Sequence, residues 1–296
     1  MVQEAINKAA ALIEAHEYIR RFDGKTIVVK VGGSIMDDPA TLSNLLADVC
    51  FMSAVGMHPV IVHGGGAAIT QAMKDAGLEA HFVHGRRYTD ERTLHIVEDV
   101  LCNSINQSMV ETINEAGYRA MGMHSLSSCV VFATKLFLEG VDEASDQMRK
   151  IDLGFVGEVR SVNAHLLKAL IESGHIPVIA PVARDAAGGK LNVNADSVAG
   201  HVAAALQAEK IILVSDTHGI RTSDDAQDMA THLTRTQIEE LIDSGVITAG
   251  MLPKVEASLI ALEAGVNKAH IIDGRIQHSL LLEVYTKTGI GTEIVL

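Results

Sequence analysis

Residues 26 to 34 read Thr-Ile-Val-Val-Lys-Val-Gly-Gly-Ser, and no other stretch constrains the fold so tightly. Ile27, Val28 and Val29 form an unbroken β-branched run, the pattern of a short strand covered on both faces. Lys30 stands near its carboxyl end, where open α/β sheets place their ligands. Gly32 and Gly33 leave backbone N–H groups open to close approach by an anion. Taken alone, the stretch fits equally an anion site and a plain strand that ends in a tight turn with Lys30 solvated.

The rest of the chain repeats this alternation. Apolar spacing predicts helices over 3–21, 40–55, 66–75, 91–116, 164–172, 196–207, 236–242, 254–264 and 279–285. Strands are expected at 59–62, 118–123, 176–182, 210–214, 269–272 and 292–295. Residues 128–162 alternate like a hairpin, with a charged loop at 142–152, and 79–90 reads as irregular. The order implies an α/β fold: an open, mainly parallel central sheet sandwiched by helices, in two lobes with a cleft. The Asp185-Ala186-Ala187-Gly188-Gly189 turn is the expected division. The expected domains are a helical extension at 1–25 and lobes at 26–186 and 187–296. The first helix reads as either an interaction arm or a packed edge helix.

Composition narrows the function. With 48% hydrophobic but only 3% aromatic residues, the core is aliphatic, which favours parallel strands over an aromatic sandwich. A formal net charge of -13 argues against non-specific nucleic-acid binding but leaves anionic substrates open. Three scattered cysteines (Cys50, Cys102 and Cys129) fit buried thiols in a reducing cytoplasm, not a disulfide framework. The N-terminus lacks a signal-peptide pattern, and no apolar run reaches the roughly 18 residues of a membrane span.

Familiar phosphate motifs fail on inspection. Gly24-Lys25-Thr26 precedes a strand instead of following one, and position 19 is Ile where a Walker A loop needs Gly. Gly64 to Ile69 is an incomplete dinucleotide fingerprint. His81 and His84 have no nearby third ligand, so no metal site is expected. Four sites remain. They are Lys30 to Ser34, His63-Gly64-Gly65-Gly66 between strand and helix, Asn192-Val193-Asn194-Ala195-Asp196 before a helix, and Thr248 to Lys254 opening another. Three glycines at a helix N-terminus make an anion site from backbone donors and the helix dipole. Asn194 or Asp196 also suits a plain N-cap. Lys254 lies where the dipole disfavours a cation, which invites either a bound anion or a solvated side chain. Together these sites supply two lysines, one carboxylate and two glycine-rich loops. Phosphoryl transfer asks for such a set, because its catalysis is positioning plus stabilisation of spread negative charge.

In identity and order these motifs, with Gly85-Arg86-Arg87-Tyr88-Thr89, resemble those of the acetylglutamate kinases, an amino-acid kinase family group. The resemblance covers nearly the whole chain. It implies MgATP-dependent phosphorylation of the side-chain carboxylate of N-acetyl-L-glutamate, the second step of arginine biosynthesis. By it, Lys30 and Lys254 stabilise the transition state and Asp196 orients both. Gly65, Gly66, Arg87, Asn192 and Asn194 bind the acyl amino acid. Gly32, Gly33, Ser215, Asp216, Gly219 and Lys254 bind the nucleotide. Arg86, Tyr88 and Ala249 depart from the usual pattern, which puts the acceptor in question and leaves open a carrier-linked aminoadipate kinase or a non-catalytic amino-acid sensor. The N-terminal helix resembles that of arginine-inhibited hexameric members, trimers of dimers. In that subclass Tyr18, Lys210, His270, Glu283 and Gly291 would line an arginine pocket.

Overall fold

The computed structural model describes residues 2–142, 147–223, 228–248, 250–286 and 289–296. The helices are α1 (Val2–Phe22), α2 (Gly33–Met36), α3 (Pro39–Ala54), α4 (Gly66–Asp75), α5 (Glu91–Glu98) and α6 (Gln107–Glu115). They continue with α7 (Ala164–Glu172), α8 (Ala195–Leu206), α9 (Arg235–Asp243), α10 (Leu252–Glu263) and α11 (Ser279–Tyr285). The strands are β1 (Thr26–Val31), β2 (His58–His63), β3 (Phe82–Val83), β4 (Arg86–Arg87), β5 (Ala120–Met123), β6 (Val131–Asp142) and β7 (Gln147–Val162). After them come β8 (Ile176–Ile179), β9 (Val182–Arg184), β10 (Lys190–Val193), β11 (Lys210–Ser215), β12 (His232–Thr234), β13 (Lys268–Asp273) and β14 (Thr292–Val295).

An eight-stranded sheet in the order β12-β14-β13-β11-β1-β2-β8-β5 runs through the molecule. Its pairs are parallel except β13 with β14. The β-branched run of β1 sits at the centre, between β2 and β11. Successive strand residues face opposite sides, and β1 obeys this: Ile27, Val29 and Val31 enter one core with α3, while Val28 enters the other with α8 and α10. Lys30 shares the parity of Val28. Its side chain therefore leaves the sheet on the α8 face, where Asp196 waits.

The sheet and most helices agree with the sequence reading, and four features differ. Residues 79–90 are not irregular: β3 and β4 pair antiparallel across a two-residue turn. His84 and Gly85 both have positive φ there, as a tight hairpin requires. The loop expected at 142–152 is strand from Gln147, pairing back onto β6, while 143–146 lie outside the described residues. Strands β6, β7, β9 and β10 then close into a small barrel. The single helix expected over 91–116 contains a π-helical stretch, Asp99–Asn106, between α5 and α6. Among the described residues, no helix is long and apolar enough to cross a membrane.

Candidate active site

The three charged groups converge for local reasons. Helices α8 and α10 approach closely because position 200 is glycine; a Cβ there would lie 2.6 Å from Ala257 O. One helical turn towards each N-terminus from this contact stand Asp196 on α8 and Lys254 on α10. Lys30 Nζ lies 2.9 Å from Asp196 Oδ1, and both side chains are almost fully buried. Lys254 Nζ donates to Gly250 O at 3.2 Å. Burial pushes the Lys254 ammonium below its ordinary value; Asp196 counters this, and Lys30 adds to it. Asp196 is thus paired directly with Lys30 and reaches Lys254 through its field.

On one side of this trio lies a cleft of about 180 Å³ lined by Gly66, Ile69, Phe82, Arg87, Asn192 and Asn194 among others. Arg87 Nη2 donates to Gly66 O at 2.9 Å and Thr70 Oγ1 at 2.8 Å, and Nη1 to Met73 Sδ at 3.3 Å. Three of the five guanidinium N–H donors are engaged, leaving Nε–H and one Nη1–H. The Phe82 ring covers the guanidinium at 4.7 Å. Thr89 Oγ1 donates to Arg87 O and accepts from Asn192 Nδ2, so a fully buried hydroxyl ties two cleft residues together. Asn194 caps α8, accepting from Ser197 N at 3.0 Å. Gly66 opens α4, whose first N–H groups have no intrahelical acceptor.

His63, at the end of β2, is fully buried, and burial pushes its imidazole down to about 4. The unfolded chain, with histidine near 6.5, binds this proton first, so stability falls as pH drops from 6.5 towards 4. Between about pH 7 and about pH 5 the expected loss from this group is about 2 kcal/mol. Urea unfolding at the two pH values checks it: a His63→Asn variant should lose correspondingly less, and an equal loss would contradict the assignment.

On the other side a larger cleft, about 420 Å³, is lined by Ser215, Asp216, Gly219, Met251, Lys254 and Arg275 among others. Gly219 packs against Thr292, where a Cβ would meet Oγ1 at 2.4 Å. Gly32 N–H is tied to Val214 O at 2.9 Å, and Gly33 backs onto Gly65 and Gly66. The two glycine-rich turns therefore lie against each other between the clefts. Sequence reasoning missed Asp273 and Arg275 here. Burial raises the Asp273 carboxyl, but hydrogen bonds from Arg275, with the charges of Arg275 and His218, outweigh it and hold it below the ordinary range. The Asp273-Gly274-Arg275 run was the available signal. Among the described residues, no three His, Cys, Asp or Glu side chains are placed to hold a metal ion. Ala249 lies outside the described residues, Arg86 lines the smaller cleft, and Tyr88 is exposed.

The fold and site together are those of a mainly parallel α/β protein with a buried Lys30–Asp196 pair, and Lys254 nearby, beside two clefts. The profile of the amino acid kinase family matches residues 25–273, and the chain belongs to that family. Among its relatives, the acetylglutamate kinase of Geobacter sp. (strain M21) is 45% identical over 293 residues, 99% of each chain. That of Acinetobacter baumannii (strain AYE) is 44% identical over 289 residues, covering 98% of this chain and 95% of that one. Among solved structures, N-acetylglutamate synthase from Neisseria gonorrhoeae, complexed with coenzyme A and N-acetyl-glutamate, superposes with a TM-score of 0.84 at 25% identity. The match covers 97% of this chain and 63% of that chain, so this chain spans under two thirds of the synthase. Isopentenyl phosphate kinase shares the fold at a TM-score of 0.62 and 18% identity, covering 91% of this chain and all of that one.

Proposed function

We propose that this chain transfers the γ-phosphoryl of MgATP to the side-chain carboxylate of N-acetyl-L-glutamate, giving N-acetyl-L-glutamyl 5-phosphate and ADP in arginine biosynthesis. The observation that carries the reading is the buried Lys30–Asp196 pair standing between two clefts, with Lys254 in the first turn of α10 beside it. The near full-length likeness to curated acetylglutamate kinases supports the acceptor.

The acyl amino acid occupies the smaller cleft, its α-carboxylate on the free donors of Arg87 and its amide near Asn192. Asn194 chiefly caps α8 and borders the cleft. Gly65 and Gly66 offer backbone N–H groups to the reacting carboxylate. The nucleotide lies along Ser215, Asp216 and Gly219, its terminal phosphates towards Gly32 and Gly33. Magnesium arrives on the nucleotide as part of the substrate. As the carboxylate oxygen attacks phosphorus and the bond to the β-phosphate oxygen breaks, negative charge spreads over the transferring group. Lys30 and Lys254 neutralise it from two sides, and Asp196 holds Lys30 in line. Assaying ADP release against a panel of acyl amino acids tests this. N-acetyl-L-glutamate should be the preferred acceptor; preference for another acyl amino acid would overturn the assignment.

Lys254 must be charged to act. Because burial depresses its pKa, kcat/KM for ATP, which reports the free enzyme, should fall with rising pH before the ordinary lysine range near 10.5 is reached. Lys254→Arg should move that limb to higher pH. A limb that does not move would contradict the assignment.

The same reading extends to regulation. A third cavity, about 360 Å³, is lined by Tyr18, Lys210, His270, Glu283 and Gly291 among others. His270 Nδ1 lies 2.5 Å from Glu283 Oε1, and Glu283 Oε2 accepts from Ile290 N. Tyr18 and Phe22 anchor the end of α1, Tyr18 edge-on to Tyr285, while Val2, Ile6, Leu12 and Ile13 are exposed. L-arginine would bind this cavity as a feedback inhibitor of a cytoplasmic hexamer joined through α1. Deleting residues 1–22 should leave dimers that arginine does not inhibit. A truncated hexamer with unchanged inhibition would overturn this extension.

A further inference from the structure

We infer that Asn106, acting through the ring of His63, is a positioning residue that aims the Gly65 N–H into the acceptor cleft and so sets acceptor affinity. The inference rests on the acceptor reading above. Asn106 closes the π-helical stretch and is 1% exposed. Its Nδ2 lies 3.1 Å from His63 Nε2 and 2.9 Å from Val178 O. Its Oδ1 rests against Gly122, where a Cβ would come within 2.2 Å. The amide is therefore fixed from the ends of β2, β8 and β5 at once.

His63 Nδ1 lies 2.8 Å from Gly64 O. A carbonyl only accepts, so Nδ1 carries the hydrogen. An amide nitrogen only donates, so Nε2 carries the lone pair. Both neighbours demand the same neutral tautomer, and the ring has one orientation that satisfies them. The consequence falls on the next residue. Gly64 C=O and Gly65 N–H belong to one planar trans peptide and point in opposite directions. Holding the carbonyl towards His63 turns the Gly65 N–H away from that ring, and the next residue, Gly66, lines the acceptor cleft. Gly66 N–H is aimed separately, because Gly65 O accepts the first helical bond of α4 from Ile69 N at 2.9 Å.

The π-helical stretch completes the device. Leu101 and Ile105 press on Gly65, where a Cβ would meet them at 2.4 and 2.8 Å. One irregular stretch thus supplies both the cover over the glycine turn and the amide that orients it. Irregular turns of this kind inside helices are frequent at functional sites.

Steady-state kinetics on the full chain and nitrogen NMR of its histidines test the inference. His63→Asn keeps an amide N–H at the Nδ1 position; His63→Gln moves the amide out to the Nε2 position and removes the donor to Gly64. His63→Gln and Asn106→Leu should raise KM for N-acetyl-L-glutamate about tenfold, the effect of one lost hydrogen bond. KM for MgATP should stay within about twofold. His63→Asn should keep the acceptor KM within about threefold. Wild-type His63 should show the Nδ1–H tautomer at neutral pH. An unchanged acceptor KM in His63→Gln, equal damage in both His63 variants, or an Nε2–H or protonated ring in the wild type would each overturn the inference. Wild-type protein that does not phosphorylate N-acetyl-L-glutamate would instead overturn the acceptor reading itself. Should the variants fail to fold, the wild-type tautomer decides.

Discussion

Lys254→Ala should lower kcat at least about 100-fold, the scale of removing one preorganised donor to a developing charge. The loss should be catalytic and not structural. Lys254 sits in the first turn of α10, and its ammonium donates to Gly250 O, just before that helix. A cation at a helix N-terminus opposes the dipole, so the position is unfavourable to the apo fold and makes sense against an anion. Thermal unfolding of the variant should match the wild type or lie slightly above it. A near-normal kcat would remove Lys254 from the chemistry. A large drop in melting temperature would show that the lysine serves the fold.

Asp196→Asn should damage activity and stability together. The carboxylate and the Lys30 ammonium are both buried on the α8 face of the sheet, 2.9 Å apart. Removing one partner of a buried ion pair strands the other charge, at a cost of about 3–5 kcal/mol. Lys30 would also lose the partner that holds it in line with the transferring phosphoryl. The variant should therefore melt at a lower temperature and be nearly inactive. Asp196→Asn, Lys30→Met should recover part of the stability while staying inactive, because no buried charge is left unpaired. A double variant no more stable than the single one would contradict the pairing.

Much of this site was legible because it is written in short local runs. The parity of Ile27, Val28 and Val29 predicts a strand covered on both faces, and that parity alone sends Lys30 towards α8. The glycines at 32–33 and 64–66 mark turns at strand ends, and Asn194 reads correctly as a possible cap. What was not legible depends on distant partners. Asn106 looks like any residue on a long helix. Its burial follows from a π-helical stretch, which no 3.6-residue period reveals. Gln147 to Asp152 are too polar to suggest a strand, and they become one by pairing with residues 137–142 across the hairpin. Asp48 is buried against His278, 230 positions away, at 2.7 Å. Asp273 has its neighbour Arg275 in the sequence, but it meets His218 only in the folded chain.

The most direct test of the account follows one oxygen atom. N-acetyl-L-glutamate labelled with oxygen-18 in its side-chain carboxylate is incubated with MgATP, the protein and hydroxylamine. Attack of the carboxylate on the γ-phosphorus puts one labelled oxygen into the bridge of the acyl phosphate. Hydroxylamine then takes the acyl group by cleaving the carbon–oxygen bond. The account predicts hydroxamate and ADP in equal amounts and one labelled oxygen in each phosphate released. ADP with unlabelled phosphate and no hydroxamate would mean that water, not the carboxylate, receives the phosphoryl, and would contradict it.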